Sequence, residues 1–235
     1  HQTGFFRYPV AIRCRLGERC VAHRANQPRV SAGLQQAQSS MANMGDQLTF
    51  LKNFLRNPTK VGAIAPSSPG LVRMMVDWLD WATIRHVVEF GPGTGVFTEA
   101  IVKKLHGDAN FFAIEQSAEL VQATRQRCPQ AKVYHDSVIN VRQLCEQESM
   151  ARVDAVICGL PWASFSDSLQ TDIMTAMLEV LPPGSRFATF AYWQGLALPA
   201  GIRFSRRLRE TFSSVERSPT VWRNLPPAFV YRCIR

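Results

Sequence analysis

The 235 residues carry 27 lysines and arginines against 18 acids, a formal net charge of +9, and 46% of them are apolar. That is enough apolar material for one substantial core plus extensions, and it argues against a wholly disordered or fibrous chain. No apolar run approaches the ~18 residues a membrane-crossing helix needs. The six cysteines, at 14, 20, 128, 145, 158 and 233, show neither a C-x-x-C pair nor zinc spacing, so reduced thiols and no bound metal are expected.

Residues 1–43 hold six arginines and one glutamate, with scattered Pro and Gly and a Gln/Ser-rich end. They read as a basic, disordered extension that also fits a transit peptide, with Met41 or Met44 as candidate starts. Residues 44–235 read as one domain. It opens with a short helix over Asp46–Asn57, capped by Asp46 and ended by Pro58. Leu48, Phe50, Leu51, Phe54 and Leu55 fall within roughly 160° of a helical wheel, opposite Lys52 and Arg56. Such a stripe suits either packing on the domain or lying in a lipid interface. Gly62–Ser68 reads as a loop across the mouth of a site, with Ser67 or Ser68 capping a helix from Pro69 to Leu79.

Val87–Val88–Glu89–Phe90 then breaks into Gly91–Pro92–Gly93–Thr94–Gly95 and passes straight into a helical stretch. This is a strand, a tight turn and a helix start, as in nucleotide-binding βαβ units. Val96 replaces the last small residue of the dinucleotide fingerprint, and the lysine of a phosphate loop is missing. Glu89, just before the glycines, would repel a pyrophosphate but suits a ligand bearing an ammonium group; S-adenosylmethionine has one. An ordinary glycine-rich turn is the plainer reading of the loop alone.

Asn110–Glu115 reads as a second buried strand whose terminal acid lies twenty residues past Gly95, where a ribose-binding carboxylate is expected. Lys132–His135 reads as a third, ending at Asp136–Ser137; Asp136 suits an adenine amino group or a helix cap. Strands are expected near 86–91, 110–115, 132–136, 154–159 and 186–192. Helices lie between them near 96–106, 117–127, 138–147 and 167–181. This alternation predicts an α/β fold with a parallel, Rossmann-like sheet. Past Tyr192, Phe212–Arg223 and Ala228–Ile234 read as two strands joined at Pro226–Pro227. Together they predict a seven-stranded, mostly parallel sheet closed by a C-terminal antiparallel hairpin. Residues 201–235 hold eight arginines and two glutamates, so both ends of the chain are basic and suit a membrane surface or nucleic acid.

Five stretches carry a resemblance over about residues 46–235. They are Phe54–Pro58, Val61–Ser68, Glu89–Thr98, Gly159–Leu160–Pro161 and Asn224–Ala228. The chain resembles the class I S-adenosylmethionine-dependent methyltransferases, and within them the bacterial phospholipid N-methyltransferases, which are similar to the ribosomal RNA adenine dimethylases. The resemblance implies S-adenosylmethionine held by Ser67, Ser68, Glu89, Gly91, Gly93, Thr94, Gly95, Glu115, Gln116, Asp136, Ser137 and Gly159. It implies an acceptor nitrogen oriented by Gly159, Leu160 and Pro161, with Trp162 and Tyr192 as aromatic faces. Trp162 would serve equally as a core aromatic. An adenine-directed enzyme would carry asparagine where this chain has Gly159. The function implied is methylation of phosphatidylethanolamine towards phosphatidylcholine by a cytoplasmic, peripherally membrane-associated enzyme. Residues 46–60 would meet an anionic membrane and the phospholipid substrate. RNA adenine methylation and a non-catalytic cofactor-binding protein are the alternatives.

Overall fold

The computed structural model describes residues 67–235. The extension over 1–43, the helix expected over Asp46–Asn57 and the start of the Gly62–Ser68 loop lie outside the described residues. Seven strands form one sheet: β1 (His86–Phe90), β2 (Asn110–Glu115), β3 (Lys132–His135), β4 (Ala155–Cys158), β5 (Arg186–Tyr192), β6 (Ser214–Arg217) and β7 (Ala228–Ile234). The order across the sheet is β3-β2-β1-β4-β5-β7-β6. The first five pair parallel, and β7 runs antiparallel between β5 and β6. The α/β fold expected from the sequence is the one observed.

Parity along the strands divides the core. Val88, Phe90, Phe112 and Ile114 face one side of the sheet and Val87, Ile157, Ala188 and Val230 the other, all fully or almost fully buried. The first side is covered by α4 (Val141–Gln147), α5 (Asp167–Val180) and α6 (Pro199–Thr211). The second is covered by α1 (Pro69–Val76) and α2 (Val96–Val102), with α3 (Ala118–Arg127) packed near the β2–β3 edge. Burial on both faces explains why these strands are continuous apolar runs rather than alternating ones.

Three local expectations need correction. Helix α1 stops at Val76 rather than Leu79. The indole N–H of Trp78 donates to the Met75 carbonyl at 3.1 Å, and that of Trp81 to the Val76 carbonyl at 2.8 Å. These bonds satisfy carbonyls that another helical turn would otherwise need. The strand expected over Phe212–Arg223 is only four residues long. Beyond it the chain leaves the ladder, still tied to β7 by Ser218, whose N–H donates to the Val230 carbonyl at 2.9 Å, and by an isolated bridge from Val221 to Ala228. Finally, α6 is a 13-residue helix where none was expected. It buries Phe204 and Leu208 four residues apart, with Phe212 one turn further on, and arginines between them dilute the apolar pattern.

Candidate functional site

The carboxyl ends of β1, β2, β4 and β5 lie along one edge of the sheet, where ligands bind in such folds. Glu89, next to last in β1, is fully buried. Its Oε2 accepts a 2.7 Å hydrogen bond from Thr98 Oγ1 in the first turn of α2. Its Oε1 has no partner among the described residues. Burial pushes the Glu89 carboxyl up to about 8, against the Thr98 hydrogen bond and with a smaller push from Glu115. A buried carboxylate with an unused oxygen is a receptor for a cation, so Glu89 fits the ammonium group of S-adenosylmethionine.

Glu115 ends β2 and is also buried. Its Oε2 accepts from the Gly93 N–H at 3.2 Å and its Oε1 from the Ser117 N–H at 2.9 Å. Burial raises its carboxyl, and these backbone bonds hold it back. Each oxygen keeps a further lone pair, so ribose hydroxyls can be accepted without breaking the bond that ties Glu115 to the glycine turn. Gly93 sits at φ +62°, and a Cβ built there would meet nothing within 4 Å, so its backbone borders open space. Thr124 Oγ1 fixes the loop from behind by donating to the Gly93 carbonyl at 2.8 Å.

The remaining residues expected at the cofactor have visible local tasks. Ser68 caps α1 by accepting from the Leu71 N–H at 3.3 Å, and its own N–H is held by Asn224 Oδ1 at 3.0 Å. Asn224 Nδ2 also donates to the Pro226 carbonyl at 2.7 Å, which gives the Asn224–Ala228 stretch a structural reason. Asp136 Oδ1 accepts from the Ser137 N–H at 2.7 Å and from Asn140 Nδ2 at 2.8 Å, and Ser137 caps the same turn. The Gln116 carbonyl lies 3.2 Å from His135 Nε2. Ser67 is half-buried and Thr94 exposed on the glycine turn.

The turn after β4 interlocks with the glycine loop. Gly159 donates to the Phe90 carbonyl at 2.7 Å, and a Cβ on Gly159 would lie 2.4 Å from the Gly91 carbonyl oxygen. Only glycine fits without moving one of the two loops, which is the steric reason no asparagine stands here. Leu160 in turn fills the space beside Gly91, 2.6 Å from where that residue's Cβ would be. Trp162 is buried, stacked on Phe204 at 4.3 Å and 12°, with its indole N–H donated to Thr189 Oγ1 at 3.1 Å. Its carbonyl accepts from Gln170 Nε2 at 2.8 Å. Gln170, fully buried on α5, also donates to the Ala200 carbonyl at 3.1 Å, so it clamps the turn to the start of α6.

Beside this turn opens a cavity of about 240 Å³, lined among others by Pro161, Trp162, Phe190, Tyr192, Leu198 and Phe204. The described lining contains no carboxylate and no imidazole. Trp162 and Tyr192 therefore both border it, Trp162 from within the aromatic core and Tyr192 edge-on to Phe190 at 5.4 Å. Burial pushes the Tyr192 phenol up to about 12 and the Cys158 thiol, one residue before the turn, up to about 12. Both stay neutral at physiological pH, so neither is poised as a base or nucleophile. The structure brings Glu115, Gly93 and Glu89 together at one end of the sheet. Thr98, Thr124, Gln170 and Thr189 were missed, because each acts through a contact with a residue distant in sequence.

Glu89 makes the site's pH dependence testable. Its folded value lies above the ordinary 4.5, so its contribution to stability is present below that value and is lost as pH rises through about 8. A cation that needs the ionised carboxylate will displace the proton. S-Adenosylhomocysteine, which keeps the ammonium group, is expected to bind with proton release at pH 7 and with affinity rising until about pH 8. Glu89→Gln should abolish the release and flatten the melting temperature across that pH range. Calorimetry in buffers of different ionisation enthalpy reads this directly; a wild type that releases no proton contradicts the assignment.

Comparisons with known proteins find methyltransferases. A family model described as a methyltransferase domain matches residues 87–184. The chain is 32% identical over 193 residues to an ornithine lipid N-methyltransferase of Singulisphaera acidiphila, covering 81% of this chain and 96% of that protein. Among solved structures it is similar to an O-methyltransferase of Bacillus cereus in complex with S-adenosylhomocysteine. There the TM-score is 0.60 at 12% identity, over 83% of this chain and 91% of that one. It is also similar to a magnesium protoporphyrin IX methyltransferase of Synechocystis with bound S-adenosylmethionine, with a TM-score of 0.55 at 15% identity over 78% and 84% of the two chains.

Proposed function

The chain belongs to the class I S-adenosylmethionine-dependent methyltransferases, and from that footing we propose that it methylates the primary amine of an acylated membrane-lipid head group. The observation that carries the reading is the apolar cavity of about 240 Å³ against the Gly159–Pro161 turn. A flat nucleobase in a polar strand would need partners for its ring edges. This cavity has mainly aromatic and aliphatic walls, with Ser164 and Gln194 as its polar side chains besides the tyrosines, which suits a hydrocarbon segment beside an amine. The similarity to an ornithine lipid N-methyltransferase, which spans most of both chains, supports the same acceptor class.

Phosphatidylethanolamine is the acceptor the sequence resemblance favours, with successive methylation towards phosphatidylcholine; an ornithine lipid is the other. Both present a primary amine on an acylated head group. Bound S-adenosylmethionine supplies a methyl group already activated on a sulfonium, so the protein needs no covalent nucleophile. Glu89 and Glu115 hold the donor. The backbone of Gly159–Pro161, clamped by Gln170, orients the amine, and the aromatic walls exclude water. With no basic side chain in the described lining, the ammonium loses its proton to solvent before the nitrogen enters. The transfer rate should therefore climb with pH towards the amine's own value, about 10 for an alkylammonium.

The test is methyl-labelled S-adenosylmethionine with purified protein, offered phosphatidylethanolamine, an ornithine lipid or ribosomal RNA. Label in either lipid supports the proposal and chooses between acceptors. Label in RNA alone would replace it with the adenine reading, and cofactor binding without transfer to any of them would leave a binding protein.

A further inference from the structure

Five large apolar side chains are exposed among the described residues, and all five fall between positions 193 and 225: Trp193, Leu198, Ile202, Trp222 and Leu225. Trp222 and Leu225 are 69% and 65% exposed. The two indoles stack at 6.3 Å and 16°, and the Trp193 N–H donates to Thr220 Oγ1 at 2.9 Å, so the pair is held in place rather than splayed. Trp193 and Leu198 flank one short 3₁₀ segment that leads into α6, and Ile202 lies one turn along that helix. Leu198 also lines the cavity, which makes the exposed rim continuous with the acceptor site.

The charge around this rim is one-sided. Residues 193–227 contain six arginines and two glutamates. Asp167 engages Arg203 at 3.4 Å and Arg207 at 3.0 Å, and Glu210 faces Arg206 at 3.7 Å. Arg209 and Arg223 are exposed, Arg223 directly beside Trp222. Stacked tryptophans, branched aliphatics and an excess of arginines within one stretch of the chain match the composition found at the boundary between head groups and acyl chains of an anionic bilayer.

We infer that the rim formed by Trp193, Leu198, Ile202, Trp222 and Leu225 is a membrane-docking surface that seats the mouth of the cavity on an anionic bilayer. In sequence it is distinct from residues 46–60. The inference rests on the lipid-amine reading, because an acceptor anchored in a bilayer must reach the cavity without leaving it. Docking here would place Leu198 and the cavity mouth at the level of the head groups.

The experiment uses the full chain and vesicles of phosphatidylglycerol and phosphatidylcholine, which contain no primary amine, so docking is read apart from catalysis. The variant Ile202→Ser/Trp222→Ser/Leu225→Ser changes no cavity-lining residue and none of the donor's ligands. It is expected to keep wild-type S-adenosylhomocysteine binding and to sediment with vesicles at least tenfold more weakly. Wild-type binding should also weaken with salt and fail on phosphatidylcholine alone. As a second measurement that perturbs the fold less, Trp222→Phe should remove a large share of the emission quenched by doxyl-labelled lipid. Undiminished sedimentation of the triple variant, a wild type that ignores anionic vesicles, or undiminished quenching in Trp222→Phe would each overturn the inference. So would a wild-type dimer that the triple variant dissociates without loss of vesicle binding. If the lipid-amine reading alone is wrong, the variant still loses vesicle binding while the wild type methylates no lipid.

Discussion

Glu115→Ala is expected to bind S-adenosylmethionine about 10- to 150-fold more weakly than wild type. The change removes hydrogen bonds to a charged acceptor, and the loss of even one such bond costs about 1.5–3 kcal/mol. It also frees the N–H groups of Gly93 and Ser117, now held at 3.2 Å and 2.9 Å, so the glycine turn loses its fixed position. Stability should change less than affinity. The carboxylate is costly to bury, as its raised pKa records, and its loss offsets part of the loosened turn. Glu115→Gln keeps the shape and one acceptor oxygen and should fall between the two. Calorimetric titration with a thermal melt separates the effects, and an unchanged dissociation constant in Glu115→Ala would place the ribose elsewhere.

Gly159→Ala should cost still more in turnover. The new Cβ would sit 2.4 Å from the Gly91 carbonyl oxygen, a backbone atom that can yield only by shifting the glycine loop or the turn after β4. Overpacking of this kind costs about 1–3 kcal/mol of stability. The larger consequence is positional. The two loops that hold donor and acceptor move apart, and misplacement of roughly 1 Å at a transfer site costs about 100-fold in rate. The expected result is a folded protein with cofactor affinity reduced severalfold and transfer reduced about 100-fold or more. Gly159→Asn should lose activity in the same way and gain none towards adenine, because the site has no room for the side chain. A Gly159→Ala variant that turns over at the wild-type rate would show that the two loops are not interlocked as described.

Much of this architecture was legible in the chain itself. Strands buried on both faces read as continuous apolar runs, and the glycine loop with Glu89 and Glu115 at successive strand ends marked the candidate site that the structure gathers at one end of the sheet. What escaped has a common physical origin. Thr124 and Gln170 act on carbonyls 31 and eight residues away, and Asn224 on an N–H 156 residues away; such contacts leave no local period. Helix α6 was hidden because Phe204 and Leu208 are its only buried large apolar residues, while Arg206, Arg209 and Ile202 are exposed around them. The missing asparagine at 159 was visible, but its cause, the Gly91 carbonyl, belongs to a different loop.

In the proposed reaction the cavity beside Gly159 receives the apolar part of an acylated amine while the nitrogen takes the methyl group. The most direct measurement compares kcat/KM for an acylated amine, dispersed below its aggregation limit, with the same head group deacylated, at saturating methyl donor. Burying about four methylenes contributes about 3 kcal/mol, so the acylated acceptor is expected to react about 100-fold more efficiently, with the label on nitrogen. Equal efficiency for the two acceptors, or label on neither, would contradict the claim.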